Sequence, residues 1–131
     1  MKKIIIILIS ALIAVSASAE TFMARNLVHK VWSNSAETYV TTLDEDAAIP
    51  IIVDTEKCII TFATNVTHYL RTTSYKDYTF KNCNFCTVFQ AVDEEGTKCE
   101  FVIKQFKNGS LSMAVLYPKY IVEFNNCILK E

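Results

Sequence analysis

The sequence predicts an all-β fold, a small antiparallel β-barrel or sandwich of seven to eight strands built mainly of hairpins. Three observations support this prediction. Apolar and polar residues alternate with period two over nearly every stretch after residue 36. Short turn signals separate these stretches, as in all-β domains. The chain has one Trp, six Tyr and eight Phe but only two Gly and two Pro, which excludes a disordered or low-complexity chain.

The N-terminus predicts a cleaved signal peptide in front of this domain. Lys2 and Lys3 form a positive head, and the apolar stretch Ile4–Val15 follows. This stretch is shorter than the roughly 20 residues that a membrane-spanning helix needs. Small residues precede the predicted cleavage site between Ala19 and Glu20.

The predicted export divides the chain into a signal peptide (1–19) and a single β domain (20–131). Removing two of the 13 basic residues leaves 11 against 14 acidic ones, a net charge of −3. A nucleic-acid binder would be basic, so no nucleic-acid partner is predicted. No long apolar run follows, and no cysteine precedes Cys58 to carry a lipid, so we expect no stable membrane anchor after cleavage. The lysine head on an isoleucine-rich stretch is typical of bacteria, which predicts the periplasm or the extracellular space of a Gram-negative bacterium.

The first predicted element, residues 22–33, fits two patterns. Met23, Leu27 and Val31 recur at helical spacing, whereas an alternation ending at Trp32 is typical of a strand. The strand is favoured because everything downstream is predicted to be sheet.

The later elements place an apolar side chain at every second position, and turn residues separate them. Gly96 suits a left-handed turn position, and Asn108-Gly109 is a strong hairpin signal. Turns are predicted at residues 54–57, 93–96 and 107–110, with a break at Pro118. The apolar rows are Ile49, Ile51 and Val53; Cys58, Ile60 and Phe62; Cys99, Phe101 and Ile103; Leu111, Met113, Val115 and Tyr117; and Tyr120, Val122 and Phe124.

The five cysteines leave several interpretations open. Cys83 and Cys86 have C-x-x-C spacing, but a strand pattern follows them instead of the helix that would activate a redox thiol. No second pair completes a zinc site, so no metal is predicted. If residues 83–86 are extended, their Cα atoms lie about 10 Å apart, beyond the ~7 Å limit of a disulfide. A Cys83–Cys86 disulfide therefore requires a turn there; otherwise Cys58 and Cys99 are core residues, and the odd count leaves a free thiol.

Catalytic motifs are absent from the sequence, and no cofactor is predicted. An enzyme would have to be a small exported hydrolase that uses His68 with a cysteine or a carboxylate. The acidic runs Asp44–Asp46 and Asp93–Glu95 are predicted to be solvated turn residues.

A row of polar and aromatic residues follows His68. If the segment stays extended, Tyr69, Arg71 and Tyr75 share one face, which would suit a sugar, a peptide or an anionic ligand. The alternative interpretation is cross-strand stabilisation, since Tyr and Thr are preferred on exposed sheet faces.

Three stretches together resemble a known group of proteins: Ile51-Ile52-Val53-Asp54 before Cys58-Ile59-Ile60-Thr61-Phe62, the turn segment from Ala91 to Cys99, and the Tyr-rich strand through Phe124. The chain resembles small signal-bearing β-proteins from Gram-negative gut bacteria. Several of these have lipocalin-like or calycin-like barrels or half-barrels, and they have no assigned activity. The resemblance implies a barrel and transfers no functional residue.

These observations favour a non-enzymatic module that binds a small ligand, a glycan or a protein. Such a binder predicts an apolar cavity lined by Phe62, Phe89, Phe101 and Phe124, or an aromatic groove at Tyr69 and Tyr75. The enzyme alternative predicts His68 within about 3 to 4 Å of a cysteine sulfur or a carboxylate in an open cleft. A third alternative is an interaction module that pairs through an edge strand.

Overall fold

A computed structural model describes residues 19–130, which fold into one closed barrel of eight antiparallel strands. The strands follow one another around the barrel in chain order, and the last strand pairs back with the first. They are β1 (Ala19–Ser33), β2 (Thr38–Asp54), β3 (Ile59–Ala63), β4 (Thr67–Tyr78), β5 (Cys83–Asp93), β6 (Lys98–Phe106), β7 (Leu111–Tyr117) and β8 (Tyr120–Lys130). The all-β prediction is confirmed. Because the sheet closes on itself, the fold is a barrel and not a sandwich. Residues 22–33, which fitted both a helical and a strand pattern, form part of strand β1.

The predicted signal peptide lies outside the described residues except for its last position. The two residues of the predicted cleavage site begin β1, where Ala19 lies opposite Asp54 and Glu20 opposite Val53. The barrel has two ends. We call the end that carries the β5–β6 and β7–β8 turns the upper end, and the end that carries the β4–β5 and β6–β7 turns the lower end.

The turns between strands use left-handed backbone where the sequence supplies glycine. Gly96 and Gly109 have φ angles of +85° and +92°, as their turn positions require. Cys58 also has a positive φ of 59° and is exposed in the β2–β3 turn. The prediction that Cys58 belongs to an apolar strand row is wrong, because the turn extends one residue beyond residues 54–57.

Side chains fill the axis of the barrel. Phe101 and Phe124 have no exposed surface, and the ring centroid of Phe124 lies 5.1 Å from that of Phe62. Phe89 belongs to the same buried cluster, so all four phenylalanines predicted to line a cavity pack into a core. An eight-stranded barrel is just narrow enough for its side chains to fill it in this way. The core also contains Phe22, Leu27, Ile49, Ile51, Val53, Ile60, Leu70, Met113, Val115 and Val122.

Strand β3 is only five residues long, and this leaves two stretches of strand with one open edge each. It pairs with β2 over the last residues of that strand and with β4 over Thr67 to Arg71. Residues 38–49 of β2 therefore pair only with β1, and residues 74–78 of β4 pair only with β5.

The two acidic runs have different structures. Asp93 ends β5 and residues 94–96 form the following turn, as predicted. The prediction of a turn at Asp44–Asp46 is wrong, because these residues lie within β2 opposite Asn26, Leu27 and Val28. Bulges in the β1–β2 ladder let this long hairpin continue past them, and the open edge of β2 keeps the carboxylates in solvent.

Candidate functional site

A β-bulge in β4 separates the three residues predicted to share one face. Arg71 lies opposite Val92, whereas Tyr75 lies opposite Phe89 after a register shift between Thr72 and Ser74. Residues directly opposite share a face, and positions 89 and 92 of β5 face opposite sides because they are three apart in a regular ladder. The predicted common face is therefore wrong for Tyr75, because the bulge inverts the alternation.

Tyr75 lies on the interior side of the barrel wall, at its lower end. Its ring centroid is 5.7 Å from that of buried Phe89, yet 66% of Tyr75 is exposed. The exposure arises because β4 extends beyond the end of the short strand β3. At Tyr75, β4 therefore has a neighbouring strand, β5, on one edge only.

Tyr69 and Arg71 remain together on the outer wall. Tyr69 is 54% exposed and lies in a cross-strand row with Thr61 and Ile52, which is also exposed. Arg71 lies two residues further along β4, is exposed, and makes no ion pair with any of residues 19–130. This pair combines an aromatic ring, a phenolic hydroxyl and a free guanidinium on a flat surface.

A second bulge brings Cys83 and Cys86 to the same face of β5. Cys83 lies opposite Phe106 and Cys86 opposite Lys104, with a register shift at Asn84. Both thiols are buried although they face away from the core. Their cross-strand neighbours are Phe106 for Cys83, and Tyr78 and Lys104 for Cys86. All five cysteines are free thiols, so the candidate disulfide is absent from the structure. Burial, partly offset by the Lys104 ammonium, raises the pKa of Cys86, which disfavours a reactive thiolate.

His68 lies at the upper end of the barrel and does not meet Cys83 or Cys86. Its ring stacks on Phe62 with centroids 5.0 Å apart, and its Nδ1 atom lies 3.7 Å from Glu94 Oε1. The two cysteines lie beside the opposite end of β4, about ten strand residues or roughly 30 Å away. The structure therefore brings His68 to a carboxylate, on an exposed rim, and not to these thiols.

The upper end contains a hydrogen-bonded cluster that the sequence analysis missed. The Tyr117 hydroxyl donates to Asp93 Oδ2 at 2.8 Å, and the backbone N–H groups of Glu95 and Thr97 donate to Asp93 Oδ1. Burial raises the pKa of Tyr117, and the bond to Asp93 raises it further. Partial burial opposes ionisation of Asp93, but the hydrogen bonds outweigh it and hold its pKa below the usual value. The only part of this cluster that the sequence indicated was the position of Asp93 at the start of the predicted turn at residues 93–96.

A polar network crosses the outer wall of four adjacent strands. Ser112 donates to Asn125, Asn125 to Asn26, and Asn26 to Asp44, with distances of 2.9 to 3.0 Å. Beside it, bulges at Arg25 and Asn126 border a shallow depression. Its lining residues are Met23, Arg25, Asp46, Ala47, Ala48 and Asn126. No local sequence signal predicts this network, because its members come from four strands.

Fold and surface together define a filled, eight-stranded meander barrel whose exposed aromatic rings lie outside its core. No protein family model, curated protein or solved structure matches the chain. Over residues 19–130 there is no helix long and apolar enough to cross a membrane. The same residues contain no group of three or more His, Cys, Asp or Glu side chains placed to hold a metal ion.

Proposed function

We propose that this chain is an exported, non-enzymatic binding module that engages a glycan or a protein through the outer wall of β4. One observation carries the proposal. Large exposed apolar side chains concentrate on β4 and the turns at its two ends, while the barrel interior is filled. The exposed residues that support the proposal are Val66, Tyr69, Tyr78 and Phe80; Tyr75 is exposed on the interior side of the wall and does not belong to this surface.

Tyr69 and Arg71 supply the chemistry of this surface. A tyrosine ring offers apolar area and a hydroxyl, and a guanidinium offers a fork of donors to hydroxyl, carbonyl or carboxylate oxygens. The flat wall around them suits an extended ligand better than a small molecule, which would need a concave site. The filled core also argues against a ligand held inside the barrel.

A double variant with a matched control tests this proposal. Tagged wild type, Tyr69→Ala/Arg71→Gln and the control Val40→Ala/Lys119→Gln are purified from the exported fraction of the source cell and analysed by native mass spectrometry. The control replaces one exposed apolar side chain and one exposed cation at the upper end of the barrel. We expect a bound glycan or protein on wild type and control that is lost from the Tyr69/Arg71 variant. Equal occupancy of all three proteins would refute the proposal.

A hydrolase that uses His68 is the second candidate function, because a carboxylate oxygen of Glu94 lies 3.7 Å from the His68 Nδ1 atom, within ion-pair distance. Among residues 19–130, however, no hydroxyl or thiol is hydrogen-bonded to His68 as a nucleophile. Activity on ester or glycoside substrates that disappears in His68→Gln would favour this candidate over the binding module.

An edge-strand module is supported less well. The open edge of β2 at residues 38–49 offers unpaired backbone groups, but Asp44, Glu45 and Asp46 lie in its middle. Charged side chains on an edge strand oppose pairing with another strand.

A further inference from the structure

Basic and aromatic side chains cluster on the outer wall at the lower end of the barrel. Cross-strand rows place Lys76 beside Val88 and Tyr78 beside Cys86 and Lys104. The turns that follow β4 and β6 are joined there, since the Lys107 N–H donates to the Asn82 carbonyl at 3.1 Å. We call this surface the lower outer face. It consists of Lys76, Tyr78, Phe80 and Lys81 from β4 and its turn, and of Lys104, Phe106 and Lys107 from β6 and its turn.

Two of the four lysines of the lower outer face lie over aromatic rings, and none of the four pairs with a carboxylate of the described residues. The Lys76 ammonium lies 5.4 Å from the centroid of Tyr78, and the Lys104 ammonium lies 5.6 Å from that of Phe106. None of the four lysines forms an ion pair with any described residue, in contrast to Lys30, which meets Glu123 at 2.9 Å. Cation–π contacts position an ammonium without neutralising it, so each charge remains free for an external anion.

The lower outer face is a basic surface on an acidic domain. The β domain has a net charge of −3, yet the lower outer face carries four of its 11 basic residues. The carboxylate nearest in sequence, Asp77, accepts a hydrogen bond from the Thr87 hydroxyl at 2.7 Å on the other side of the wall. Glu94 and Glu95 lie in the β5–β6 turn at the upper end, and the Asp44–Asp46 run lies near the middle of β2. Asp54 and Glu56 lie at the β2–β3 turn, outside the lower outer face. A positive surface on a negative protein attracts a multiply charged anion to that surface.

We propose that the lower outer face binds an acidic polysaccharide, a polymer whose sugar units carry carboxylate or sulfate groups. Ammonium groups pair with these anions, and the rings of Tyr78 and Phe80 offer apolar contact to sugar carbons. Exposed amides of Asn82 and Asn108 can hydrogen-bond sugar hydroxyls. An anionic lipid surface fits less well, because Phe80 is the one large apolar side chain in the two turns and stable insertion needs a larger apolar area. Tyr78 and Phe80 also belong to the exposed apolar surface along β4 that supports the proposed function, but binding to the lower outer face does not use Tyr69 or Arg71.

Calorimetric titration with three defined polymers tests the proposal: heparin as the sulfated probe, polygalacturonate as the carboxylated probe, and dextran as the neutral one. We expect heparin or polygalacturonate, but not dextran, to bind at about 0.05 M salt and to be released near 0.5 M. Lys76→Gln/Lys104→Gln should weaken binding by about 3- to 30-fold, since each exposed ion pair contributes modestly.

The control variant is Lys98→Gln/Lys119→Gln, which removes the same charge from exposed positions at the upper end. It should bind the acidic polymers like wild type. Tyr69→Ala/Arg71→Gln should also bind them like wild type, because its substitutions lie in the surface around Tyr69 and Arg71 and not in the lower outer face. Equal weakening by both lysine pairs, binding of dextran, or tighter binding to vesicles of anionic phospholipid than to either acidic polymer would overturn the proposal. Circular dichroism of each variant verifies that the barrel is folded.

Discussion

Replacing Phe124 by alanine tests whether the barrel is filled or hollow. Phe124 has no exposed surface and packs against Phe62 across the barrel axis. The substitution removes an entire ring from the centre of the core. The neighbours cannot collapse fully into the space, because they are held by strands on all sides.

The expected loss follows from burial. A fully buried Phe→Ala replacement costs about 3 to 5 kcal/mol, from lost transfer free energy and from the cavity that remains. The β domain of 112 residues has an unfolding entropy of about 0.24 kcal/mol/K near its midpoint. The melting temperature should therefore fall by about 13 to 21 °C. Tyr75→Ala is the matched control, because Tyr75 faces the same side of the wall but is mostly exposed. It should cost about 1 kcal/mol, mainly its contact with Phe89.

Chemical denaturation measured by tryptophan fluorescence and circular dichroism gives both free energies. A second measurement adds benzene to the folded Phe124→Ala variant, since a dry apolar cavity binds such a ligand and the protein regains stability. A loss below about 1.5 kcal/mol for Phe124→Ala, or equal losses for both variants, would refute the filled core. A ligand site inside the barrel would then need to be reconsidered.

Two further predictions concern the thiols and the upper end. In the native protein only Cys58 should react rapidly with an alkylating reagent, because the other four thiols are buried and burial raises the pKa of Cys127 to about 12. Denaturation should expose five thiols; a count of three would mean that a disulfide has formed, and rapid labelling of a second native thiol would contradict the burial. Asp93→Asn should destabilise the protein by about 0.5 to 1.5 kcal/mol at pH 7, because it removes the charged acceptor of the Tyr117 bond. Since folding lowers the pKa of Asp93, its contribution is present above the unfolded value near 3.9 and is lost as the pH falls through the lower, folded value. The difference between wild type and Asp93→Asn in urea denaturation should thus shrink below about pH 4, and a difference that grows there would contradict the assigned direction.

The all-β architecture followed from local patterns. Period-two alternation identified the strands after residue 49, and Gly96 and Gly109 marked turns that require positive φ. Such signals are carried by residues next to one another in the chain, so no tertiary contact is needed to interpret them. The strand at residues 22–33 was harder, because a bulge at Arg25 interrupts its alternation. Ala24 and Leu27, three residues apart, therefore both face the core, which imitates helical spacing.

The candidate sites were less predictable, and the bulges are the main reason. A bulge at Thr73 moved Tyr75 away from Tyr69 and Arg71, and a bulge at Asn84 moved Cys83 to the side of Cys86. Each bulge depends on how two strands pair, which the local sequence does not encode. The lower outer face also escaped the sequence analysis, because its lysines come from two strands that are separated by a third.

The sequence by itself determined that the chain forms paired strands with tight turns and an aromatic-rich core, since alternation and turn chemistry are properties of neighbouring residues. Tertiary structure alone decided that the sheet closes, that its centre is full, and which side chains meet on its outer wall. Closure and register depend on the pairing of strands far apart in the chain, and a shift of one residue moves a side chain from the core to the surface.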